Sequence, residues 1–503
     1  MRIEINIPRG GGATAHAALA TRLRRAGHAT RLAATAPLAQ APVSIAALFA
    51  LEDAIYGPVK DDLFAAAGMD MPGFEGDPDL IIDFQGDAKP AAAPILSPRF
   101  NGARGEIAAI AALLSGRAPE TSIVIERVDA PPRELARGLP AIPFPFRVKE
   151  SRNRIRAREI DLFAKAVARF EAGDAGENPI SAMSSARSIA VAPLFGLAGV
   201  AAKIAARLRA LATGARDSHW RVAWRPTRGD AVRDSLKWPT ASYAVLPDDG
   251  ARYYADPFFF VHEGRTWLFV EEFPYATNKG ILSVCEFGPN GPLGTPRPIL
   301  EIGCHLSYPF VFERDGAIYM MPESVGENRL ALYRAVSFPD VWAFDRVLMD
   351  NIGAADATLL EREGRLWLFA SVAADGQSDW DTVSIFHAAS LEREWTPLTE
   401  NPVLFDAGSA RCGGRFFERE GQLYRPAQDC SRGYGSALAI CRVDRLDAGG
   451  FVQSVAARLS APTGMIGAHT LNDANGFEVI DTLGRPGSRV PTQVDFVNQD
   501  SRG

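Results

Sequence analysis

Three carboxylates in the C-terminal part of the chain, Asp256, Glu323 and Asp356, have a spacing that predicts a shared site. Asp256 and Asp356 each lie eight residues before a glycine that closes a charged turn, and Glu323 lies seven residues after such a glycine. A carboxylate at the end of an apolar strand is costly to bury unless it is paired, bound to a metal or used in a reaction. Carboxylates around a polar channel can perform glycosyl transfer or glycoside hydrolysis, because one ionised group acts as base or nucleophile while one protonated group assists the departing oxygen. A third acid can stabilise the positive charge that develops on the sugar ring.

Other polar side chains at or near these positions of the repeat are candidates for contact with a substrate. These candidates are Glu271, Glu272, Tyr308, Arg411, Gln428, Asp429 and His469. Arginine, amide and imidazole groups donate hydrogen bonds to hydroxyl or phosphate oxygens, and a tyrosine ring can stack on a sugar face. The alternative for each acid taken alone is structural, either capping a turn or accepting a hydrogen bond from a backbone amide between repeats. No pair of the five cysteines has Cys-x-x-Cys spacing, and neither a metal nor another cofactor is predicted.

The elements that must position these residues are five repeated segments from about residue 220 onward. Each has an apolar strand, a charged turn that ends in glycine, and a second strand rich in aromatic and aliphatic residues, which is the pattern of a β-hairpin. The turn glycines are Gly264, Gly316, Gly364, Gly421 and Gly476, at intervals of 52, 48, 57 and 55 residues. Repeats of this length are typical of a β-propeller, whereas a β-sandwich does not require the same hairpin five times. The sequence therefore predicts an all-β five-bladed β-propeller, whose innermost strands bring equivalent positions together around one channel.

The first part of the chain, residues 1–170, alternates strand-like and helix-like segments. The predicted strands are Ile3–Ile7, Asp79–Phe84 and Ser122–Val128, and the predicted helices are Ala13–Arg25 and Gly105–Leu114. Short strands that alternate with helices are typical of an α/β sheet with crossover connections. We therefore expect an α/β N-terminal domain over residues 1–170, a helical joint over residues 171–218 and the propeller over residues 219–503.

The joint belongs to a strongly basic stretch. Residues 147–233 contain 17 Lys and Arg against 8 Asp and Glu, which is 17 − 8 = +9 in a chain whose net charge is −6. Within it, residues 201–212 (AAKIAARLRALA) place Ile204 and Leu208 on one face of a helix, beside basic residues. This helix either connects two domains with a solvated face or contacts an anionic membrane surface or a phosphorylated donor. Nucleic acid is excluded as a partner, because no aromatic residues are interleaved with the arginines and no reader motif is present.

Composition and the N-terminal segment limit the remaining possibilities. Of the 503 residues, 47% are hydrophobic and 23% are charged, which excludes a disordered chain, a collagen-like fibre and a coiled coil. The segment MRIEINIPRGGG has no apolar core of signal-peptide length, and the longest uncharged apolar run is 14 residues against the ~20 of a spanning helix. We therefore expect a cytoplasmic protein, with peripheral contact at the inner face of the membrane as the option that the basic stretch leaves open.

Five motifs of the C-terminal part together carry a family resemblance. They are YADPFFF (254–260), HLSYPFVF (305–312), YMMPES (319–324), RPAQDCSRGYG (425–435) and GAHTLN (467–472). Through them, the chain between residues 219 and 472 resembles the propeller domain at the N-terminus of plant glucosamine inositolphosphorylceramide transferases. More distantly, it is similar to the five-bladed catalytic domains of arabinanases, invertases and mannoside phosphorylases.

The more distant resemblance implies roles for individual carboxylates. In those enzymes an aspartate opens the first blade, a second aspartate lies in another blade, and a glutamate is the acid. Asp256, Asp356 and Glu323 match these positions and would be the catalytic residues. Tyr308 departs from the pattern, because the second blade of those enzymes often presents an aspartate at this position.

The N-terminal part resembles a degenerate methionyl-tRNA formyltransferase fold. The resemblance is carried by ILSPRFNGARGEIAAIAALLSG (95–116) and ETSIVIERVD (120–129). This chain has no histidine near Asn101, and it reads APPRE where the family has an aspartate shortly after Asp129. Without a base and an oxyanion partner, formyl transfer has no catalyst, so we expect no formyl transfer.

These observations together predict a carbohydrate-active enzyme. We expect glycosyl transfer in the synthesis of a glycolipid or surface glycan, with a glycan or an activated sugar as substrate. Two alternatives remain open: a furanosidase-like glycoside hydrolase, in which water is the acceptor, and a non-catalytic sugar-binding module, which binds without turnover.

Overall fold

The computed structural model describes residues 1–9, 12–37, 42–67, 73–90, 92–179, 194, 196–199, 201, 205, 219–373, 377–484 and 492–496. The chain divides into two compact units, Met1–Ala205 and Ala206–Gly503. Most of the basic joint predicted over residues 171–218 lies outside the described residues, as does nearly all of the helix-like segment 201–212. Within the described ranges, none of the helices is long and apolar enough to cross a lipid bilayer. The membrane contact and the cytoplasmic location stay predictions.

The first unit contains a mixed β-sheet with helices. Its described elements are, in chain order, β1 (Arg2–Arg9), β2 (Gly12–Ala13), α1 (Thr14–Arg25), β3 (Ala29–Pro37), α2 (Val43–Tyr56), β4 (Ala66–Ala67), β5 (Leu80–Asp83), β6 (Ile95–Phe100), α3 (Glu106–Leu113), β7 (Thr121–Arg127), β8 (Ala130–Gly138) and α4 (Val148–Glu171). The sheet order is β3-β1-β5-β6-β7-β8. The pairings among β3, β1, β5 and β6 are parallel, and β7 and β8 add antiparallel strands at one edge.

The strands and helices predicted for this unit are confirmed within a few residues at each end. In β1 the apolar residues Ile3, Ile5 and Ile7 alternate with polar residues, and all three are buried. In α4 the apolar residues Ile155 and Phe163 are buried as well. The apolar positions that strand alternation and helical periodicity identify are thus buried, and α4 also buries its consecutive residues 158–163.

The second unit is a five-bladed β-propeller. Its described elements are β9 (His219–Pro226), α5 (Val232–Ser235), β10 (Tyr243–Val245), β11 (Arg252–His262), β12 (Arg265–Pro274), β13 (Ile281–Gly288), β14 (Gly291–Pro292), β15 (Arg297–Leu300), β16 (Ser307–Arg314), β17 (Ala317–Glu323), a short 3₁₀ helix (Val325–Glu327), β18 (Arg329–Ser337), β19 (Val341–Asp350), β20 (Ala354–Arg362), β21 (Arg365–Val372), β22 (Thr382–Ala388), β23 (Thr396–Pro397), β24 (Leu404–Phe405), β25 (Phe417–Arg419), β26 (Gln422–Asp429), β27 (Ala437–Asp447), β28 (Gly450–Ser460), β29 (Met465–Gly467), β30 (Leu471–Ala474), β31 (Phe477–Gly484) and β32 (Gln493–Val494).

These strands form five antiparallel sheets in the described part of the unit, each one a blade. Blade 1 contains β11–β15, blade 2 contains β16–β19, blade 3 contains β20–β24 and blade 4 contains β25–β28. Blade 5 joins the two ends of the unit, because β9 lies between β31 and β10. The pairing of β9 with β31 runs from His219 opposite Gly484 to Pro226 opposite Phe477. The ring is therefore closed by hydrogen bonds between its first and last strands, and no blade 5 edge is left open there.

The residues of β9 also contribute to the core between blades 5 and 1. Val222 is fully buried in a cluster with Leu246, Tyr254 and Val479. Burial of apolar surface is the main favourable contribution to folding. Closure of the ring therefore depends on packing as well as on the strand pairing.

We predict that Val222→Ala destabilises the propeller by about 2 kcal/mol, through lost burial and the cavity that remains. Urea unfolding followed by tryptophan fluorescence measures this, because all eight tryptophans lie in the second unit and the signal reports that unit alone. Val336→Ala is the matched control, since Val336 is exposed on β18 and should change stability by less than about 0.5 kcal/mol. Equal effects of the two substitutions would show that β9 is not packed into the ring.

Candidate active site

The first strands of blades 1, 2 and 3 each begin with a β-bulge at the same position of the repeat. Asp256, Tyr308 and Asp356 have φ values of 47°, 47° and 50°, and the strand register shifts at each of these residues. A non-glycine residue in the left-handed region is strained and persists only where its surroundings hold it. Bulges of this kind redirect a side chain. Neighbouring groups must therefore hold these three bulges, and the bulges set the directions of the Asp256, Tyr308 and Asp356 side chains.

Each bulge is held by a carboxylate of the preceding blade. Asp481 Oδ2 of blade 5 accepts a hydrogen bond from the backbone N–H of Asp256 at 3.0 Å. Asp256 Oδ2 in turn accepts one from Tyr308 N at 3.1 Å, and Glu323 Oε2 accepts one from Asp356 N at 3.0 Å. We call this set of three bonds the inter-blade relay. The structural role that the sequence left open for these acids, bonding backbone amides between repeats, is thus filled by Asp256 and Glu323.

Asp481 begins the relay and accepts four hydrogen bonds. Its Oδ1 receives the backbone N–H groups of His469 at 3.0 Å and Thr470 at 2.9 Å. Its Oδ2 receives the Thr470 hydroxyl as well as Asp256 N. These bonds and the nearby His469 ring outweigh burial, so the pKa of Asp481 is lowered. Asp481 is therefore an ionised, fully buried anchor at the junction of blades 5 and 1.

His469 lies between two aspartates. Its Nε2 is 2.9 Å from Asp256 Oδ1 and its Nδ1 is 3.0 Å from Asp481 Oδ1. Burial alone would lower the pKa of His469, but Asp481 and Asp256 outweigh it, and the pKa is well above its ordinary value. The ligand atoms of these three residues lie within 4.8 Å of one another, close enough to suit a metal ion. Because both ring nitrogens contact carboxylates and Asp481 is saturated by donors, the trio is an Asp–His–Asp ion-pair chain rather than a metal centre.

A second group of charged side chains surrounds Arg411. The guanidinium donates from Nε to Asp356 Oδ2 and from Nη1 to Asp379 Oδ2, both at 2.6 Å, and lies 3.5 Å from Glu323 Oε2. Gln428 Nε2 also donates to Asp356 Oδ2 at 2.6 Å. Burial raises the pKa of Asp356 to about 8, opposed by Arg411 and supported by Glu323, whose carboxyl is within hydrogen-bonding reach. Asp356 and Glu323 therefore form a pair that can hold a proton.

Glu271 interacts electrostatically with members of both groups. It is buried, and burial together with the charge of Asp256 raises its pKa well above the ordinary value. Glu323 raises the pKa of Glu271 further, and Asp356 raises that of Asp256. The carboxylates of blades 1, 2 and 3 consequently share one electrostatic environment at the end of the channel where the first strands begin.

Aromatic rings line the same end. The Trp220 ring centroid is 4.1 Å from that of His469 and 6.2 Å from that of Tyr434. Tyr434 also lies 5.2 Å from Trp380 and 5.3 Å from the Arg411 guanidinium carbon. Aromatic faces beside polar groups can bind the apolar faces and the hydroxyls of a sugar ring at once.

The structure brings most of the predicted site residues together. Those that meet at this end of the channel are Asp256, Glu271, Glu323, Asp356, Arg411, Gln428 and His469. Glu272 and Asp429 point elsewhere. Glu272 follows Glu271 on β12 and faces the opposite side of the strand, where it binds Arg252 and Ser283. Asp429 binds Ser431 and Arg458, so the geometry does not support contact between these two acids and a substrate.

Tyr308 lies behind the site and is not exposed to a substrate. Its side chain is fully buried, and its hydroxyl bonds Thr358 Oγ1 and accepts the Gly414 N–H, both at 2.9 Å. Its ring packs edge-on against Phe258. Stacking of a sugar on Tyr308 is therefore not supported. Its hydroxyl instead joins blade 2 to Thr358 of blade 3 and to Gly414, which precedes β25 of blade 4.

Sequence reasoning missed Asp379, Asp481 and His305. Asp379 lies in the segment between β21 and β22, outside the repeated hairpin. Asp481 lies five residues after its turn glycine, whereas the compared positions were seven and eight residues after it. His305 Nε2 is 3.4 Å from Glu271 Oε1, but its position before β16 has no equivalent in the other repeats.

Comparison with known proteins agrees with the resemblance carried by the motifs. Residues 235–475 match a family described as "Glucosamine inositolphosphorylceramide transferase 1, N-terminal". The transferase of that name from Oryza sativa subsp. japonica is 35% identical over 228 residues, covering 43% of this chain and 30% of the relative. The one from Arabidopsis thaliana is 35% identical over 230 residues, covering 44% and 30%. The chain thus spans less than a third of these curated relatives, and the match lies outside the first unit, whose formyltransferase-like character stays a prediction.

Solved structures with a related arrangement include two glycoside hydrolases. A family 117 glycoside hydrolase from Zobellia galactanivorans has a TM-score of 0.35 at 10% identity, covering 53% of this chain and 90% of that one. The catalytic domain of a family 62 α-L-arabinofuranosidase from Coprinopsis cinerea has a TM-score of 0.36 at 11% identity, covering 52% and 97%. Both TM-scores are below 0.5, so neither structure informs the function.

We predict that Asp481→Asn lowers the free energy of unfolding by about 3 kcal/mol at neutral pH, because an amide offers one acceptor oxygen to four buried donors. Since the pKa of Asp481 is lowered by folding, its contribution is fully present above ~3.9 and is lost as the pH falls through the folded value. The difference between wild type and variant should therefore shrink in acid. Urea unfolding followed by tryptophan fluorescence at neutral and acidic pH measures it.

Asp473→Asn is the control for this measurement, since Asp473 is a partly exposed neighbour on β30 that pairs with Arg233 at 2.8 Å. A variant Asp481→Asn as stable as the control at neutral pH, or a difference that grows in acid, would contradict the anchoring role.

Proposed function

We propose that the propeller acts on carbohydrate and transfers a glycosyl group in the synthesis of a glycolipid or surface glycan. The observation that carries this proposal is the convergence of Asp256, Glu323 and Asp356 from three blades at one end of the channel, beside aromatic rings. Carboxyl groups in unlike environments provide the acid and the base that glycosyl transfer needs. The names of the curated relatives support transfer over hydrolysis and suggest glucosamine and inositolphosphorylceramide as the first compounds to test.

The environments of the three carboxyls suggest their roles. Glu323 is the most exposed, at 15% of its side chain against 4% for Asp256 and 3% for Asp356. It is assigned the general acid, because a proton donor must reach the departing oxygen of the substrate. The proton that Glu323 donates is the one that the Asp356–Glu323 pair holds, and Arg411 contacts both carboxyls. Asp256, supported by the charge of His469, is assigned the base or nucleophile.

A specific observation favours a non-catalytic sugar-binding module as the second candidate. Asp256 Oδ2 already accepts the backbone N–H of Tyr308, and Asp356 Oδ2 already accepts two hydrogen bonds, from Arg411 and Gln428. Both aspartates therefore accept hydrogen bonds that stabilise the channel itself. In a binding module this would be their only role, and Glu323 with the aromatic rings would contact the sugar.

We predict that Asp256→Asn and Glu323→Gln each reduce turnover by at least about 100-fold, the lower range for a general acid or base. Both substitutions keep one acceptor oxygen for the inter-blade relay. Glu323→Gln should change unfolding by urea little, whereas Asp256→Asn also gives up the ion pair with His469 and should be less stable than wild type, so turnover is compared on the folded protein. Transfer is measured with nucleotide sugars as donors and inositolphosphorylceramide as acceptor, and hydrolysis is measured as release of reducing sugar.

The control is Glu361→Gln. Glu361 lies near the end of β20, where its exposed carboxylate pairs with Arg314 of blade 2, and its substitution should leave turnover unchanged. Sugar binding without turnover in wild type would favour the binding module. Full turnover in both site variants would refute the assignment of Asp256 and Glu323.

A further inference from the structure

Three titratable side chains outside the carboxylate site form a chain of hydrogen bonds between blades 5 and 1. His219 begins β9, Asp248 lies between β10 and β11, and Tyr275 directly follows β12. His219 Nε2 is 3.0 Å from Asp248 Oδ2, and His219 Nδ1 is 2.6 Å from the Tyr275 hydroxyl. Both ring nitrogens of one histidine are therefore engaged, one by a carboxyl group and the other by a phenol. We call these three residues the tyrosine triad.

The carboxyl group decides which ring nitrogen of His219 carries the proton. Burial opposes the ionisation of Asp248, but hydrogen bonds from His219 and from the Gly250 N–H at 2.7 Å outweigh it, so the pKa of Asp248 is lowered. An ionised carboxylate only accepts hydrogen bonds, so Nε2 of the neutral imidazole carries the proton. Nδ1 is then an acceptor, and the Tyr275 hydroxyl donates to it.

This arrangement is suited to activating the hydroxyl of Tyr275. A hydroxyl that donates to an imidazole can pass its proton to the ring, and a carboxylate on the other nitrogen stabilises the imidazolium that forms. The charge of Arg221, a buried residue of β9, acts on both Asp248 and Tyr275. A nearby cation favours the ionised form of a phenol, so Arg221 supports the same proton transfer.

An aromatic surface connects the tyrosine triad to the carboxylate site. Glu271 and Phe273 share one face of β12 because strand residues alternate, and the Tyr275 ring centroid is 6.3 Å from that of Phe273. Tyr253 lies opposite Phe273 on β11, stacks on it at 4.8 Å and is within hydrogen-bonding reach of Glu271. The Tyr253 ring centroid is also 6.0 Å from that of Tyr275 and 6.3 Å from that of His219. Tyr275 is half-buried, so part of its side chain is open to solvent beside this surface.

We propose that Tyr275 takes a proton from a hydroxyl group of the acceptor, with His219 as its base and Asp248 as the residue that positions His219. The acceptor O–H bond breaks and its proton moves to the Tyr275 oxygen, while the phenol proton moves to His219 Nδ1. The electron pair of the broken bond stays on the acceptor oxygen, which bonds to the anomeric carbon of the sugar as the leaving group departs. This role rests on the proposed function and leaves Asp256 as the nucleophile, one of its two proposed roles.

The test of the activated hydroxyl needs no sugar. The full chain is incubated at neutral pH with benzenesulfonyl fluoride, and the labelling of each tyrosine is followed by peptide mass spectrometry. The phenol oxygen bonds to sulfur, fluoride leaves, and the phenol proton goes to His219. We expect Tyr275 to react about 100-fold faster than Tyr56, a half-buried tyrosine of the first unit, since this is the lower range for a general base.

Two variants interrupt the triad. His219→Gln removes the base, and Asp248→Asn removes the carboxylate that orients it, so each should slow the labelling of Tyr275 by about 100-fold and leave that of Tyr56 unchanged. Asp248→Asn keeps the shape of the side chain and serves if His219→Gln does not fold. The matched control is His262→Gln, because His262 is a partly exposed histidine at the end of β11 that lies near Glu263 and Glu313. This control should leave the labelling of Tyr275 unchanged.

Labelling of Tyr275 that is no faster than that of Tyr56, or that is unchanged by both triad variants, would overturn the proposal. The triad would then be only a structural link between blades 5 and 1.

A second readout uses the reaction itself. Tyr275→Phe keeps the ring and removes the hydroxyl, so kcat for transfer should fall by about 100-fold while the KM of the sugar donor stays unchanged. Full turnover in Tyr275→Phe would overturn the role of Tyr275 in transfer, even if the residue labels rapidly. A rapidly labelled Tyr275 in a protein that transfers no sugar would instead reject the proposed function and leave the activated hydroxyl standing.

Discussion

The structure of the site depends on one kind of hydrogen bond, from the backbone amide of a bulged residue to a carboxylate of the preceding blade. Without its acceptor, the left-handed backbone at Asp256 or Asp356 would relax into an ordinary strand. The side chain would then point to a different face, because strand residues alternate between the two faces of a sheet. Asp481, Asp256 and Glu323 therefore fix the direction of the next functional group around the ring as well as joining neighbouring blades.

This arrangement has an electrostatic consequence. Acceptors at the strand ends must be carboxylates or other strong acceptors, so the end of the channel collects more acids than the two buried cations there, Arg411 and His469, can neutralise. Burial and the neighbouring carboxylates raise the pKa values of Asp356 and Glu271, which favours their protonated forms. Such groups with separated pKa values are what acid–base chemistry on a sugar needs. The same interaction thus joins neighbouring blades and gathers acids with raised pKa values at one end of the channel.

The blades and part of the site could be predicted from the sequence, because both depend on local rules. A turn glycine marks each hairpin, and a fixed offset from that glycine identifies Asp256 and Asp356. A residue's distance in sequence from the turn glycine does not give the direction of its side chain. Glu272 is adjacent to Glu271, and strand alternation turns it away from the site. The offset does not identify Asp481, because blade 5 places its carboxylate two positions earlier than blades 1 and 2 do. Such long-range pairings across blades have no signature in one sequence, as they arise from how the ring closes.

The central claim is that the carboxylates held by these inter-blade bonds form one sugar-binding site. The measurement that tests it most directly is a crystal structure of the full chain soaked with nucleotide sugars and glucosamine-containing glycans. We predict a sugar ring at the end of the channel where the first strands begin, with hydroxyl or glycosidic oxygens in hydrogen-bonding contact with Asp256 or Glu323. A sugar bound at any other surface of the propeller, with this end of the channel unchanged, would contradict it.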